Sequence, residues 1–198
     1  VVIKAISTMA APLRQWPAPG QWTYQDYLDL PDDGYQYEII WGELYMAPAP
    51  NIGHQKTSGE LEFALRNFVK KHNLGFVLDA LCDVILAPGG TPVEPDILFI
   101  SKERAQIITD KNVQGAPDLI IEILSPSNPE HDRERKYKLY RESGVAEYWI
   151  VDIEACAIEV YVLRQGAYQL RGRFASGQAA TSQILAGFSV EVDEVIVR

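Results

Sequence analysis

The chain has 198 residues, 47% of them hydrophobic and 23% charged, which is enough for one globular domain with a substantial core. A net charge of −9 excludes a protein that coats nucleic acid through bulk positive charge, so an anionic ligand needs a local basic patch or a metal. No apolar run approaches the ~20 residues of a membrane span. The two cysteines and three histidines show no zinc-site spacing.

Residues 1–12 read as a flexible leader, too short and too weakly charged for a secretory signal, within a single domain over 1–198. Cys82 and Cys156 lie inside apolar runs, as expected of reduced thiols in a cytoplasmic protein. Thr23 is placed to cap a short helix over Tyr24–Leu28, and Pro31–Gly34 to turn. Tyr35–Ile40 and Glu43–Met46 read as an N-terminal hairpin about Trp41-Gly42. From His54 to Asn73 apolar residues recur at helical spacing (Leu61, Ala64, Leu65, Phe68, Val69), and Asn73 and Gly75 end the helix.

Phe76–Leu86 is a strand region broken near Asp79, Pro88–Pro92 a turn, and Pro95–Ile100 a short buried strand. Lys102–Gly115 is mixed, a short helix and a loop. Pro117–Ser127 contains the central strand. Leu119, Ile121 and Ile123 take one face; Asp118, Ile120, Glu122 and Leu124 take the other. Both faces are apolar, so both should be covered. The next helix is capped by Ser127 or Asn128, has Pro129 at its first position and stops at Gly144. Ala146–Asp152 is a strand, Ile158–Leu163 and Tyr168–Phe174 a C-terminal hairpin, and Ser189–Val197 a last strand or turn. The fold class is α/β, a mixed central sheet flanked by helices; consecutive strands joined only by a turn between residues 76 and 100 exclude an all-parallel sheet.

Asp83, Asp96 and Glu122 each place a carboxylate in an apolar strand. An ionised carboxylate buried there costs several kcal/mol or more unless something pairs with it. Mg²⁺ or Mn²⁺ is a suitable partner, since hard cations take carboxylate oxygens. Asp118 shares a face with Glu122, but four residues of strand is roughly 13 Å, too far for one ion. Asp96 can lie beside Glu122 if the strands pair, so these two are the metal candidates. On the following helix Lys138 has Glu134, Arg135, Arg141 and Glu142 three or four positions away, a solvated face. Lys136 has Asp132, Arg133, Leu139 and Tyr140; the last two should face the core, which turns Lys136 inward toward Glu122 and Asp96. Glu43, His54 and Lys138 are candidate accessory groups.

Pro95-Asp96, then Glu122-Ile123-Leu124, then Lys136 on the next helix, resembles the PD-(D/E)XK nuclease superfamily. Tyr37–Leu44, His54-Gln55, Gly115–Ser127, Lys136–Tyr140 and Gly144–Asp152 together resemble the Uma-type restriction endonuclease family, a domain of unknown function. The resemblance implies a restriction-endonuclease-like core in which Asp96 and Glu122 bind Mg²⁺ and Lys136 steadies the phosphate or orients the nucleophile. It departs from the superfamily pattern at Leu124, where a Lys is expected; Lys136 substitutes from the helix. The expected function is metal-dependent hydrolysis of DNA phosphodiesters by a homodimer, for which the aromatic Tyr148-Trp149-Ile150 strand and the C-terminal hairpin supply the apolar surface. The alternative is a catalytically inactive nuclease fold serving as a binding or assembly module. A glycosidase, a third class, would need two carboxylates about 5–10 Å apart in an open cleft.

Overall fold

The computed structural model describes residues 16–86, 90, 92–125 and 130–197. The expected leader and the expected helix cap at Ser127–Pro129 lie outside the described residues. In chain order the elements are α1 (Tyr24–Tyr27), β1 (Tyr35–Ile40), β2 (Glu43–Pro48), α2 (Ile52–His72), β3 (Gly75–Asp79), β4 (Val84–Ile85), β5 (Pro92–Val93), β6 (Ile97–Ser101), a 3₁₀ turn (Lys102–Ile107), β7 (Val113–Gln114), β8 (Leu119–Ile123), a π-helical segment (His131–Lys136) continuing into α3 (Tyr137–Ser143), β9 (Glu147–Asp152), β10 (Ala157–Arg164), β11 (Ala167–Ala175), β12 (Ala179–Thr181), β13 (Ser189–Glu191) and α4 (Val192–Val195).

Six strands form the central sheet in the order β11-β10-β9-β8-β6-β3. Only β8 and β9 pair in parallel, joined by the helical crossover; the other neighbours are antiparallel. The fold is therefore α/β with a mixed sheet, and β8 sits inside it. The alternation in its sequence divides the core. Leu119, Ile121 and Ile123 pack with Leu61, Leu65 and Val69 of α2 and with Val192 and Val195 of α4. Ile120 and Leu124 pack on the opposite face with Leu139, Tyr140, Val84, Val93 and Ile40. Each face of the strand thus meets its own apolar layer, as its sequence requires.

Local chemistry fixes the ends. Thr23 and Asp26 form a reciprocal capping box on α1. The Asn51 side chain accepts from the His54 N–H at the start of α2, and Asn73, at φ 55°, closes it in the left-handed conformation. Gly144, at φ 85°, does the same for α3.

The departures from expectation are mostly tertiary. Residues 76–86 split between the central sheet and a separate three-stranded sheet of β5, β4 and β7. The segment expected as regular α-helix is π-wound over His131–Lys136. The C-terminus forms the small pair β12–β13 and a turn of helix. Tyr148, Trp149 and Ile150 lie wholly in the interior, so they offer no surface to a second copy. Beside them Glu147, also buried, accepts from Trp149 Nε1 at 2.7 Å and from the Gln183 and Ile184 amides at 2.6 and 3.1 Å, which ties the C-terminal segment to the sheet. Cys82 and Cys156 are free and half-buried. No helix among the described residues is long and apolar enough to cross a membrane.

The β1–β2 hairpin turns on two residues of positive φ, Trp41 (50°) and Gly42 (77°), a type I′ geometry. A Cβ on Gly42 would stand 2.5 Å from the Gly20 carbonyl oxygen. Gly42→Ala should therefore lose about 1–3 kcal/mol, read as a lower urea midpoint at unchanged slope; a midpoint equal to wild type would show that the 16–22 segment gives way freely.

Candidate active site

Glu122 points from β8 toward the helical crossover and is 3% exposed. Lys136 Nζ donates to its Oε1 at 2.9 Å and Tyr140 Oη to the same oxygen at 2.6 Å. Lys136 and Tyr140 are one helical turn apart, so one face of the crossover delivers both donors. Lys136 has a second partner, Glu38 of β1, whose Oε1 is 3.0 Å away, and Asp132 Oδ1 lies at 3.6 Å. Glu38 is in turn fixed by the Glu94 N–H at 2.9 Å and by His131 Nε2 at 3.1 Å.

Asp96 precedes β6, which pairs with β8. Its Oδ2 accepts from the Ile123 N–H at 2.8 Å, one residue beyond Glu122. His54, in the first turn of α2, places Nε2 3.2 Å from that oxygen and 3.1 Å from the Ile123 carbonyl. Both partners are acceptors, so Nε2 carries the proton. Asp96, Glu122, Lys136, His54, Glu38, Glu94 and Asp132 line one cavity of about 140 Å³, ample for an ion with its waters.

The structure thus brings together Asp96, Glu122, Lys136 and His54, with Glu38 rather than Asp96 as the second direct partner of Lys136. Glu43 and Lys138 stand elsewhere. Glu43 opens β2 at the hairpin turn and is exposed. Lys138 is 55% exposed, its ammonium 4.7 Å above the Trp41 ring. Asp118 accepts from Ser101 N–H and pairs with Arg104 at 2.8 Å. Asp83 shares the Tyr27 hydroxyl proton with Glu94, each at 2.7 Å.

Charge is out of balance in the cavity. Burial pushes the Glu122 carboxyl well above the usual carboxylate range; Lys136 opposes this, but Asp96, Asp132 and Glu38 reinforce it. Burial would also raise Glu38, yet Lys136, His131 and the Glu94 amide overcome it and hold Glu38 at about 2. Burial works against the Lys136 ammonium, but Glu122, Glu38 and Asp132 outweigh it and raise its pKa well above the lysine range. Lys136 therefore stays charged, and its one positive charge is shared between Glu122 and Glu38, at 2.9 and 3.0 Å.

Among the described residues no three His, Cys, Asp or Glu side chains form a cage for a metal. Mg²⁺ does not require one, because it keeps several waters and takes only one or two protein carboxylates. Asp96 and Glu122 meet that need, and the excess of carboxylates around them, with Glu94 Oε2 buried and without a hydrogen-bond partner, suits a cation.

Two outcomes follow from these contacts. Lys136→Ala leaves Glu38 and Glu122 buried without their shared cation and should cost about 3–5 kcal/mol, whereas Lys136→Ala with Glu38→Ala should recover part of it; additive losses in denaturant titration would show that the two are uncoupled. At the Tyr27 cluster, burial raises the Asp83 pKa, and the Tyr27 hydroxyl only partly offsets it. Its stabilising contribution is then present below the unfolded pKa and is lost as pH rises through the higher folded value. Asp83→Asn should gain on wild type in melting temperature between pH 4 and pH 7; a constant difference across that range would contradict the assignment.

The family model described as "Uma2: Putative restriction endonuclease" matches residues 24–193. A solved structure from Anabaena variabilis, described as "a putative nuclease belonging to DUF820", is 20% identical and aligns with a TM-score of 0.72 over 88% of this chain and 97% of its own. That likeness concerns the fold. No curated protein matches the chain. The family match spans every residue that lines the cavity, and the chain belongs to the Uma2 restriction endonuclease family.

Proposed function

We propose that the protein is a metal-dependent endonuclease that hydrolyses DNA phosphodiesters. The observation that carries this reading is the meeting of Asp96, Glu122 and Lys136 in one cavity, with more carboxylates than its cation can neutralise. Asp96 and Glu122 are the groups that would hold Mg²⁺ or Mn²⁺. When bound, such an ion supplies Lewis-acid charge to a phosphoryl oxygen and acidifies water at neutral pH.

The chain's own groups do the rest. Asp96 is oriented by the Ile123 amide and His54, so its carboxylate does not swing. Tyr140 and Lys136 fix one oxygen of Glu122 and leave its rotamer no freedom. Lys136 keeps a permanent positive charge at the cavity wall, where it opposes the negative charge gathered as water attacks phosphorus in line. His54 spends its Nε2–H on Asp96 and the Ile123 carbonyl, which ties the start of α2 to the cavity wall.

The competing reading is an inactive nuclease fold used for binding or assembly. Leu124 at the superfamily's lysine position, with Lys136 held by both Glu38 and Glu122, favours it. Glu122→Gln separates the two. The amide keeps the size of the side chain, and its oxygen can still accept from Lys136 and Tyr140, so the variant should fold. Wild type should bind Mg²⁺ or Mn²⁺ by calorimetry and nick supercoiled plasmid, and EDTA should stop the nicking. Glu122→Gln should lose the metal heat and at least 100-fold in nicking. Metal binding unchanged by the substitution, or no nicking by wild type, would leave the inactive module standing.

A further inference from the structure

The helical crossover has two working faces. The inner one carries Asp132 and Lys136 to the cavity and Tyr140 to Glu122. On the outer one Arg135 and Lys138, both exposed and three positions apart, lie over aromatic rings of the β1–β2 hairpin. Arg135 Cζ is 5.4 Å from the Tyr45 ring centroid, and Lys138 Nζ is 4.7 Å from that of Trp41. Tyr45 and Met46 also line the cavity, so the hairpin that carries these rings reaches from its tip to the cavity wall. Opposing charges flank the pair: Glu142 lies 4.0 Å from Lys138, and exposed Glu134 precedes Arg135.

Trp41 carries a second signal. It occupies the first central position of a type I′ turn, at φ 50°, where Asn or Asp is the usual residue. A bulky side chain in the left-handed region is strained. Here the strain does not serve packing, for the indole is 45% exposed at the tip. In a chain of net charge −9, two exposed cations interleaved with an exposed indole are what a nucleic-acid strand can use.

Building on the nuclease reading above, we propose that the outer face of the crossover and the hairpin tip form the docking surface for a single nucleic-acid strand. Arg135 and Lys138 bind successive phosphates, Trp41 stacks on an unpaired base, and the strand is led past Tyr45 and Met46 into the cavity.

The test is fluorescence anisotropy of a labelled single-stranded oligonucleotide, in EDTA, beside plasmid nicking in Mg²⁺. Arg135→Ala with Lys138→Ala should weaken binding and reduce the slope of log K against log salt by about 1.4, the share of two phosphates. Trp41→Asn should weaken binding about tenfold while melting no lower than wild type, because Asn suits the turn; its loss of affinity then cannot be a loss of fold. Variants that bind as wild type does, with the same salt slope, overturn the docking surface. If wild type still nicks in that case, the nuclease reading survives; if wild type neither binds nor nicks, both fall.

Discussion

One ammonium group holds the molecule's functional end together. Lys136, from the crossover, lies between Glu122 of the central strand and Glu38 of the N-terminal hairpin, within 3.0 Å of each. Neither carboxylate could remain ionised in that interior alone, and burial of the lysine is tolerated only because both are there. The same three groups fix where the hairpin sits on the sheet, so folding and site assembly are one event. Glu147 solves the same problem differently: it is equally buried, but two backbone amides and an indole satisfy it, and it serves as an anchor. A carboxylate satisfied by fixed dipoles is structural. One that shares a single cation with four other carboxylates around a cavity has capacity left for a ligand.

Much of this could be read from the sequence where the signal is local. The two faces of β8 follow from a period of two, and they divide into separate core layers as the alternation of Leu119–Leu124 indicates. The inward turn of Lys136 follows from Leu139 and Tyr140 three and four positions on. Both hairpins and α2 could be placed by turn and cap chemistry within a few residues. Glu38 could not. It lies beside Ile39 and Ile40, and all three are buried in succession, so no alternation singles it out; its partner is 98 residues away. Glu94 and His131 join the site for the same non-local reason. Glu43, the first residue past the turn, has the right residue type but lies at the exposed end of its strand.

The π winding of His131–Lys136 was also beyond local signals. Nothing in the run His-Asp-Arg-Glu-Arg-Lys favours an i→i+5 ladder over an α-helical one. Its contacts are tertiary: Lys136 reaches Glu122 and Glu38, Arg133 reaches Asp152 and Glu159 at 3.1 and 2.9 Å, and His131 reaches Glu38. Such π-wound insertions are common at functional sites.

The hairpin has one more consequence. β1 and β2 form a sheet of their own, with no backbone ladder to the central sheet, so Glu38 is a principal tether between that module and the body. Any molecule that settles among Glu38, Lys136 and Glu122 acts as a clasp on the hairpin: by linkage, the free energy of its capture is added to the work of peeling the hairpin away. Amide protons along residues 35–47 are therefore a gauge of cavity occupancy, exchanging more slowly when it is filled, even though most of them never touch the occupant.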